Sequence, residues 1–171
     1  MTEPVIDLSN ARRVGVISDT HGLVRPELYE ALEGVDAILH AGDLGSETIE
    51  VELSPIAPFH AVAGNVDGFG ASDYPRFLLF RIGAWRVGVT HVGLGRGGLV
   101  PSVDMWCRRE RVDLLVFGHT HQPLLDERVS PVRFNPGACG PRRFDLPVSI
   151  GFLDVAAGGE VVPRLVTLEV G

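Results

Sequence analysis

Two histidines one residue apart close the stretch Phe117-Gly118-His119-Thr120-His121. On an extended backbone, side chains two positions apart point to the same side, so the pair presents both imidazoles together. Such a pair suits metal binding, and taken alone it also suits an ordinary polar loop. Four further places carry similar side chains: Asp19 and His21 in Ser18-Asp19-Thr20-His21-Gly22, His40 and Asp43 in His40-Ala41-Gly42-Asp43, Asn65 and Asp67 in Gly64-Asn65-Val66-Asp67, and His91. Each has a plain reading beside the chemical one. Aspartate near a turn caps helices and shapes loops, Asn65 after Gly64 is a turn pair, and His91 alone is a packed histidine. The five places together are hard to assign to chance. Carboxylates, imidazoles and one amide oxygen form a mixed donor set that suits borderline divalent ions such as Mn, Fe, Ni or Zn. An aspartate shared between two ions about 3.5–4 Å apart is the arrangement of two-metal hydrolytic sites.

Each of these places follows a short apolar run, at residues 14–17, 37–39, 59–63, 87–90 and 114–117. Most runs are apolar on both faces, as expected of strands covered on both sides. Helices are expected between several of them. One starts at Pro26 and runs to about residue 33, with Gly34 ending it; one starts at Glu47 with Ser46 as its cap; a third covers 103–111 after Pro101 and Ser102, with Met105 and Cys107 facing the core. The alternation implies a largely parallel or mixed sheet, in which ligands bind outside the carboxyl ends of the strands. Past residue 130 the pattern changes to successive strands at 132–134, 148–154 and 161–169, with turns at Pro136-Gly137 and Gly158-Gly159. Gly83-Ala84 between strands 76–82 and 86–90 is a hairpin signal. A second, largely antiparallel sheet is therefore expected to pack on the first. Residues 1–12 precede the first clear strand and read as an extension, and the 171 residues suit one domain.

Hydrophobic residues make up 45% and charged residues 22%, a composition that excludes a disordered chain. No apolar run approaches the roughly 18 residues needed to span a bilayer, and the acidic start MTEPVIDLSNARR does not read as a signal peptide. Cys107 and Cys139 form no Cys-x-x-Cys motif, which fits a reducing, cytoplasmic setting. The net charge of −7 argues against bulk binding to nucleic acid or to a membrane surface. All fifteen basic residues are arginine, which composition bias explains as well as phosphate recognition does.

The ordered series Asp19-x-His21, Gly42-Asp43, Gly64-Asn65, His91 and Gly118-His119-x-His121 resembles the calcineurin-like metallophosphoesterase superfamily. The chain length and Asn135-Pro136-Gly137-Ala138-Cys139-Gly140-Pro141-Arg142-Arg143 resemble its compact branch of small bacterial and archaeal phosphodiesterases. The resemblance runs from about Val14 to Arg143. It implies an α/β fold, a four-layer αββα sandwich of two mixed β-sheets flanked by helices, with a two-metal site at one edge. It places one ion on Asp19, His21, Asp43 and His121 and the second on Asp43, Asn65, His91 and His119, with Asp43 as the bridge. The metal it suggests is Mn2+, with Fe, Ni, Zn or Co as alternatives. The function it implies is hydrolysis of a small phosphodiester or nucleotide-like substrate by a bridging metal-bound hydroxide, with Asp43, Asn65 and His91 acting through metal and substrate positioning. Small proteins of this type also pair, so a homodimer or higher oligomer is expected. Two rival readings stand beside it: a protein-interaction scaffold of the retromer-subunit type, with a degraded metal set, and a phosphomonoesterase or nucleotide pyrophosphatase.

The chain departs from the broader superfamily pattern twice. Val66 follows Asn65 where many members carry a histidine thought to protonate the leaving group, and Val92-Gly93 follows His91 where relatives often read His-Gly-His. Without that acid, poorly basic leaving groups such as aryl oxides are favoured. His40 is either a partner orienting the site or a packed strand-end histidine. His60 reads as structural, Asp67 as a brace for the loop holding Asn65, and Asn135-Pro136-Gly137 as a rigid turn. Arg142 and Arg143 are within reach of a phosphate, although a solvated loop pair is the plainer reading.

Overall fold

The protein is described here from a computed structural model covering residues 2–67 and 74–171. In chain order its elements are β1 (Val5–Leu8), β2 (Arg13–Ile17), α1 (Pro26–Ala31), β3 (Ala37–His40), α2 (Thr48–Leu53), β4 (Phe59–Ala61), β5 (Phe77–Ile82), β6 (Trp85–Thr90), β7 (Leu94–Gly95), β8 (Gly98–Leu99), α3 (Pro101–Glu110), β9 (Leu114–Val116), β10 (Leu124–Asp126), β11 (Val132–Asn135), β12 (Ser149–Val155) and β13 (Val161–Thr167). One sheet has the order β1-β5-β6-β9-β11-β10 and the other β13-β12-β2-β3-β4, while β7 and β8 form a small hairpin.

Period-two alternation builds the layers. In β2, Val14 and Val16 join Ala37 and Leu39 of β3 in the space between the sheets, facing Phe80, Val87, Val89, Leu114, Val116 and Phe134 of the six-stranded sheet. The alternate residues Ile17 and Ile38 turn outward against Leu28, Leu32, Ile49 and Leu53 around α1 and α2. In β9 and its continuation, Leu115 and Phe117 turn outward against Val103, Trp106 and Cys107 of α3. Three apolar interfaces separate four layers, so the fold is the expected αββα sandwich of two mixed sheets.

Both sheets are mixed, as the resemblance implies; what is corrected is the separate, largely antiparallel sheet expected past residue 130, because those strands divide between the two sheets. β2, β3 and β4 are parallel neighbours, yet β12 joins β2 antiparallel in that same sheet. β6, β9 and β11 are parallel neighbours in the other, where β5 pairs antiparallel with β6 through the Gly83-Ala84 hairpin. Every one of these strands is covered on both faces, so its apolar pattern carries no mark of which sheet it joins. The amino-terminal segment, expected to be an extension, contributes β1, which pairs parallel with β5 at the sheet edge. Met105 is 71% exposed rather than core-facing. The buried positions of α3 are Val103, Trp106, Cys107 and Glu110, an i, i+3, i+4, i+7 stripe that leaves residue 105 on the far side. Helix α2 begins at Thr48, whose backbone N–H donates to Ser46 Oγ at 3.2 Å. Helix α1 ends at Ala31, two residues earlier than expected.

Candidate metal centre

The carboxyl ends of β2, β3 and β4 lie side by side in one sheet, and those of β6 and β9 lie side by side in the other. The loops that follow are laced together by backbone bonds. Asp19 N–H donates to Gly42 O at 3.0 Å, His21 N–H to Asp43 O at 3.1 Å, and Gly118 N–H to His91 O at 2.9 Å. Two glycines allow this close approach. A Cβ on Gly118 would lie 2.0 Å from Ser18 Oγ and 2.7 Å from Asp19 Oδ2, and one on Gly64 would lie 2.1 Å from the Asp43 nitrogen.

Seven non-glycine residues among those described have positive φ, and five are predicted ligands: Asp19 (56°), His21 (45°), Asp43 (57°), His119 (72°) and His121 (61°). Left-handed backbone costs of order 1–3 kcal/mol per residue and persists only where surroundings impose it. Here the cross-loop bonds impose it, and the strain is concentrated where five side chains turn toward one another.

They meet in two groups. Ligand atoms of Asp19, His21 and His121 lie within 4.8 Å of one another, as do those of Asp43, His91 and His119. His121 Nε2 is 3.3 Å from Asp19 Oδ1 and 3.3 Å from His21 Nε2. Asp43 joins the groups. Its Oδ2 lies 3.2 Å from His91 Nε2 and 3.7 Å from His21 Nε2, while Oδ1 accepts the Val66 N–H at 3.0 Å. Asp19 is fully buried. Its Oδ2 accepts from Ser18 Oγ at 2.6 Å and the His119 N–H at 3.1 Å. Its Oδ1 is buried without a hydrogen-bond partner, and so is His91 Nε2. His91 Nδ1–H donates to Ala41 O at 2.7 Å, which turns Nε2 toward Asp43.

The charges agree with this geometry. Burial pushes the Asp43 carboxyl up, but His91 and the Val66 N–H outweigh it and bring its pKa down to about 2. Burial opposes ionisation of Asp19 as well, and the nearby His121 ring and the bond from Ser18 hold it below its ordinary value. Burial lowers the His21 imidazole, with the Arg143 charge adding to that effect against the pull of Asp43. Burial also works to lower His91, yet the Asp43 carboxylate outweighs it and raises the ring above its ordinary value. Two ionised carboxylates and four imidazoles therefore converge with buried lone pairs unmet. Unpaired buried charge is strongly unfavourable, and this donor set fits divalent cations of the borderline class.

The remaining predicted residues stand outside these two groups of carboxylates and imidazoles. Asn65 is exposed, and it lines a cleft of about 180 Å³ together with Ala63, Gly64, Arg76, Thr90, His91 and Val92. His40 is fully buried and hydrogen-bonded on both nitrogens. The Gly42 N–H donates to Nδ1 at 3.1 Å, so Nε2 carries the proton and donates to Thr20 Oγ1 at 2.9 Å. Thr20 Oγ1 in turn donates to Leu44 O at 3.0 Å. Burial brings the His40 pKa down to about 4. This neutral ring orients the residue between Asp19 and His21 as well as the turn before Asp43. Asp67 braces the neighbouring loops as expected, accepting from Gly64 N–H at 2.8 Å and Gly45 N–H at 3.0 Å. Of the two arginines, Arg143 acts electrostatically on His21, whereas Arg142 Nε donates to Leu146 O at 3.4 Å within its own loop. His60 packs edge-on against Phe80, with ring centroids 5.3 Å apart.

Asn135 does more than turn the chain. Its fully buried amide donates from Nδ2 to Gly118 O at 3.1 Å and to Thr120 Oγ1 at 3.0 Å. It thus holds the loop between the two histidines of the His-x-His pair, and its Oδ1 accepts the Gly137 N–H at 2.9 Å. The asparagine is visible in the sequence, but its target 17 residues away is not.

Residues 13–158 match the profile of the calcineurin-like phosphoesterase superfamily domain. A probable metallophosphoesterase from Methanothermobacter thermautotrophicus is 39% identical over 147 residues, covering 82% of this chain and 86% of that one. A phosphodiesterase from Methanocaldococcus jannaschii is 26% identical over 160 residues, covering 83% of this chain and 92% of that one. In shape, the chain superposes on the structure of vacuolar protein sorting 29 from Cryptosporidium parvum with a TM-score of 0.72 at 20% identity, covering 92% of this chain and 98% of that one.

Proposed function

Because the chain belongs to the calcineurin-like phosphoesterase superfamily, whose chemistry is metal-assisted phosphate-ester hydrolysis, we propose that it is a dinuclear phosphodiesterase, with Mn2+ as the working metal. The observation that carries the proposal is the placement of one oxygen, Asp43 Oδ2, toward histidines of both groups. On this reading Asp19, His21, Asp43 and His121 hold one ion and Asp43, Asn65, His91 and His119 hold the other. When bound, such a pair activates water, holds phosphate oxygens and offsets the charge that develops at phosphorus.

The chain's own groups supply the geometry. The Val66 N–H holds the Asp43 carboxylate between the two groups. The Ala41 carbonyl fixes the His91 tautomer, leaving Nε2 free to ligate. The amide of Asn135 and the hydroxyl of Thr20 hold the loops that carry the other imidazoles. No side-chain nucleophile is called for. Cys107 and Cys139 are buried with thiols pushed up to about 12 by that burial, and the Ser18 hydroxyl is committed to Asp19. With Val66 after Asn65, no imidazole stands there to protonate a leaving group. Diesters with weakly basic leaving groups follow as the preferred class, and the resemblance to a phosphodiesterase supports the diester over the monoester.

The test compares bis(p-nitrophenyl) phosphate with p-nitrophenyl phosphate on the Mn2+-loaded protein in oxygen-18 water. The expected outcome is faster cleavage of the diester, with label in the phosphate product. Label confined to p-nitrophenol, or faster cleavage of the monoester, would reject the proposal. The scaffold reading draws support from shape alone, and two groups of strained, convergent ligands weigh against it.

A further inference from the structure

The cleft beside His91 and Asn65 contains a cation that the reading above does not use. Its lining residues include the polar Asn65, Thr90 and His91 and the cationic Arg76, with Val92 as the one large apolar residue among them. A polar lining with a permanent cation suits an anionic group rather than an apolar one.

Arg76 is anchored where the two walls meet. Thr90, immediately before His91, donates its hydroxyl to the Arg76 carbonyl at 3.2 Å. Ala63, immediately before Gly64-Asn65, donates its N–H to the Pro75 carbonyl at 2.9 Å. The backbone of Arg76 is therefore tied to both strand ends that lead into the second ligand group. Its side chain is held more loosely. The guanidinium carbon sits 5.2 Å from the centroid of the Phe77 ring, and Nη2 donates to Ser102 Oγ at 3.2 Å. Both are modest interactions at an exposed position. Among the described residues no carboxylate pairs with it, and the planar fork of a guanidinium matches an oxyanion bidentately.

We infer that Arg76 is a substrate-binding residue that takes an anionic oxygen of the substrate in the cleft beside Asn65 and His91. This rests on the phosphodiesterase reading for the identity of the substrate, but not for the binding of an anion. It also places a cationic contact just ahead of β5, beside His91 of the second ligand group, whereas Arg143 acts on His21 of the first. The oxygen belongs either to the scissile phosphate or to a second acidic group on the ester's alcohol portion.

The experiment uses Arg76→Ala and Arg76→Lys in the full chain, with circular dichroism to check folding. Inorganic phosphate is titrated calorimetrically into each protein with and without Mn2+. Steady-state kinetics follow on methyl p-nitrophenyl phosphate and on a p-nitrophenyl diester whose second alcohol carries a carboxylate. Loss of one charge-assisted fork is expected to weaken phosphate binding and raise KM about tenfold in Arg76→Ala, with kcat little changed and Arg76→Lys recovering part of the loss. A KM rise with both esters assigns the contact to the scissile phosphate, and a rise with the carboxylate ester alone assigns it to the second group. Unchanged phosphate affinity together with unchanged KM on both esters overturns the inference. A wild-type protein inactive on both esters, whose phosphate affinity still falls on losing Arg76, supports the cleft and counts against the phosphodiesterase reading instead.

Discussion

Asp43 Oδ2 lies 3.2 Å from His91 Nε2, and the other nitrogen of that ring is committed to Ala41 O at 2.7 Å. In the neutral ring a lone pair therefore faces a carboxylate oxygen. Such a pair is repulsive unless a cation or a proton stands between the two, so the contact is built for positive charge. His21 approaches the same oxygen from the other group at 3.7 Å.

Asp43→Asn keeps the shape of the side chain and removes its charge. Activity on an aryl diester is expected to fall by about 10³-fold or more, since both ions lose their shared anion. Metal counting by elemental analysis should show fewer than two ions retained. A variant with full metal content and near-normal activity would remove Asp43 from the bridging role.

Asn135→Ala removes the donors that hold Gly118 O and Thr120 Oγ1 and leaves buried acceptors unmet. The expected cost is roughly 1–3 kcal/mol of stability, read from denaturant midpoints. Metal affinity should fall about 10–100-fold, as it does when partners of ligands are removed elsewhere. Stability loss with unchanged metal affinity would make Asn135 a fold residue only.

Chelation tests the electrostatics of the site as a whole. Removing divalent ions leaves ionised Asp19 and Asp43 facing unmet imidazole lone pairs, so EDTA-treated protein should be inactive and melt at lower temperature. Adding back Mn2+ should restore activity and raise the melting temperature with increasing metal concentration, because only the folded chain holds the paired groups. A melting temperature indifferent to metal would contradict the site.

The buried His40 ring makes stability depend on pH. Its folded-state pKa is lowered from 6.5 to about 4, so folding disfavours the protonated form. Above pH 6.5 the ring is neutral in both states and carries no penalty. As pH falls from about 6.5 to about 4 the unfolded chain gains a proton that the folded chain resists, and stability declines by about 3 kcal/mol in total. Urea midpoints of the metal-free protein measured from pH 7.5 to 4.5 should show this decline in the wild type and a shallower one in His40→Gln. Parallel declines in the two proteins would mean that His40 is not the titrating group.

Much of this was legible along the chain. The chemistry-bearing residues announce themselves because every one follows an apolar run, and strand ends in doubly covered sheets are where side chains can converge. Six of the seven expected ligands were found in the two compact groups, and the Gly83-Ala84 hairpin follows from local turn preference alone. The four layers were implied by resemblance; what their alternation shows directly is only that each strand is covered on both faces.

The tertiary structure decided what alternation does not encode. Strands buried on both faces look the same whichever sheet they join, so only the fold reveals that β12 pairs with β2 and β11 with β9. The weakly apolar segment of β1 becomes a strand because β5 offers it an edge. The strained backbone at the five ligands, the reach of Asn135 across to Gly118, and the seating of Arg76 between two strand ends all depend on loops far apart in sequence being bonded together. Sequence sets which side chains are available and on which face of a strand each one lies; long-range hydrogen bonds and close approach at glycine determine which of them meet.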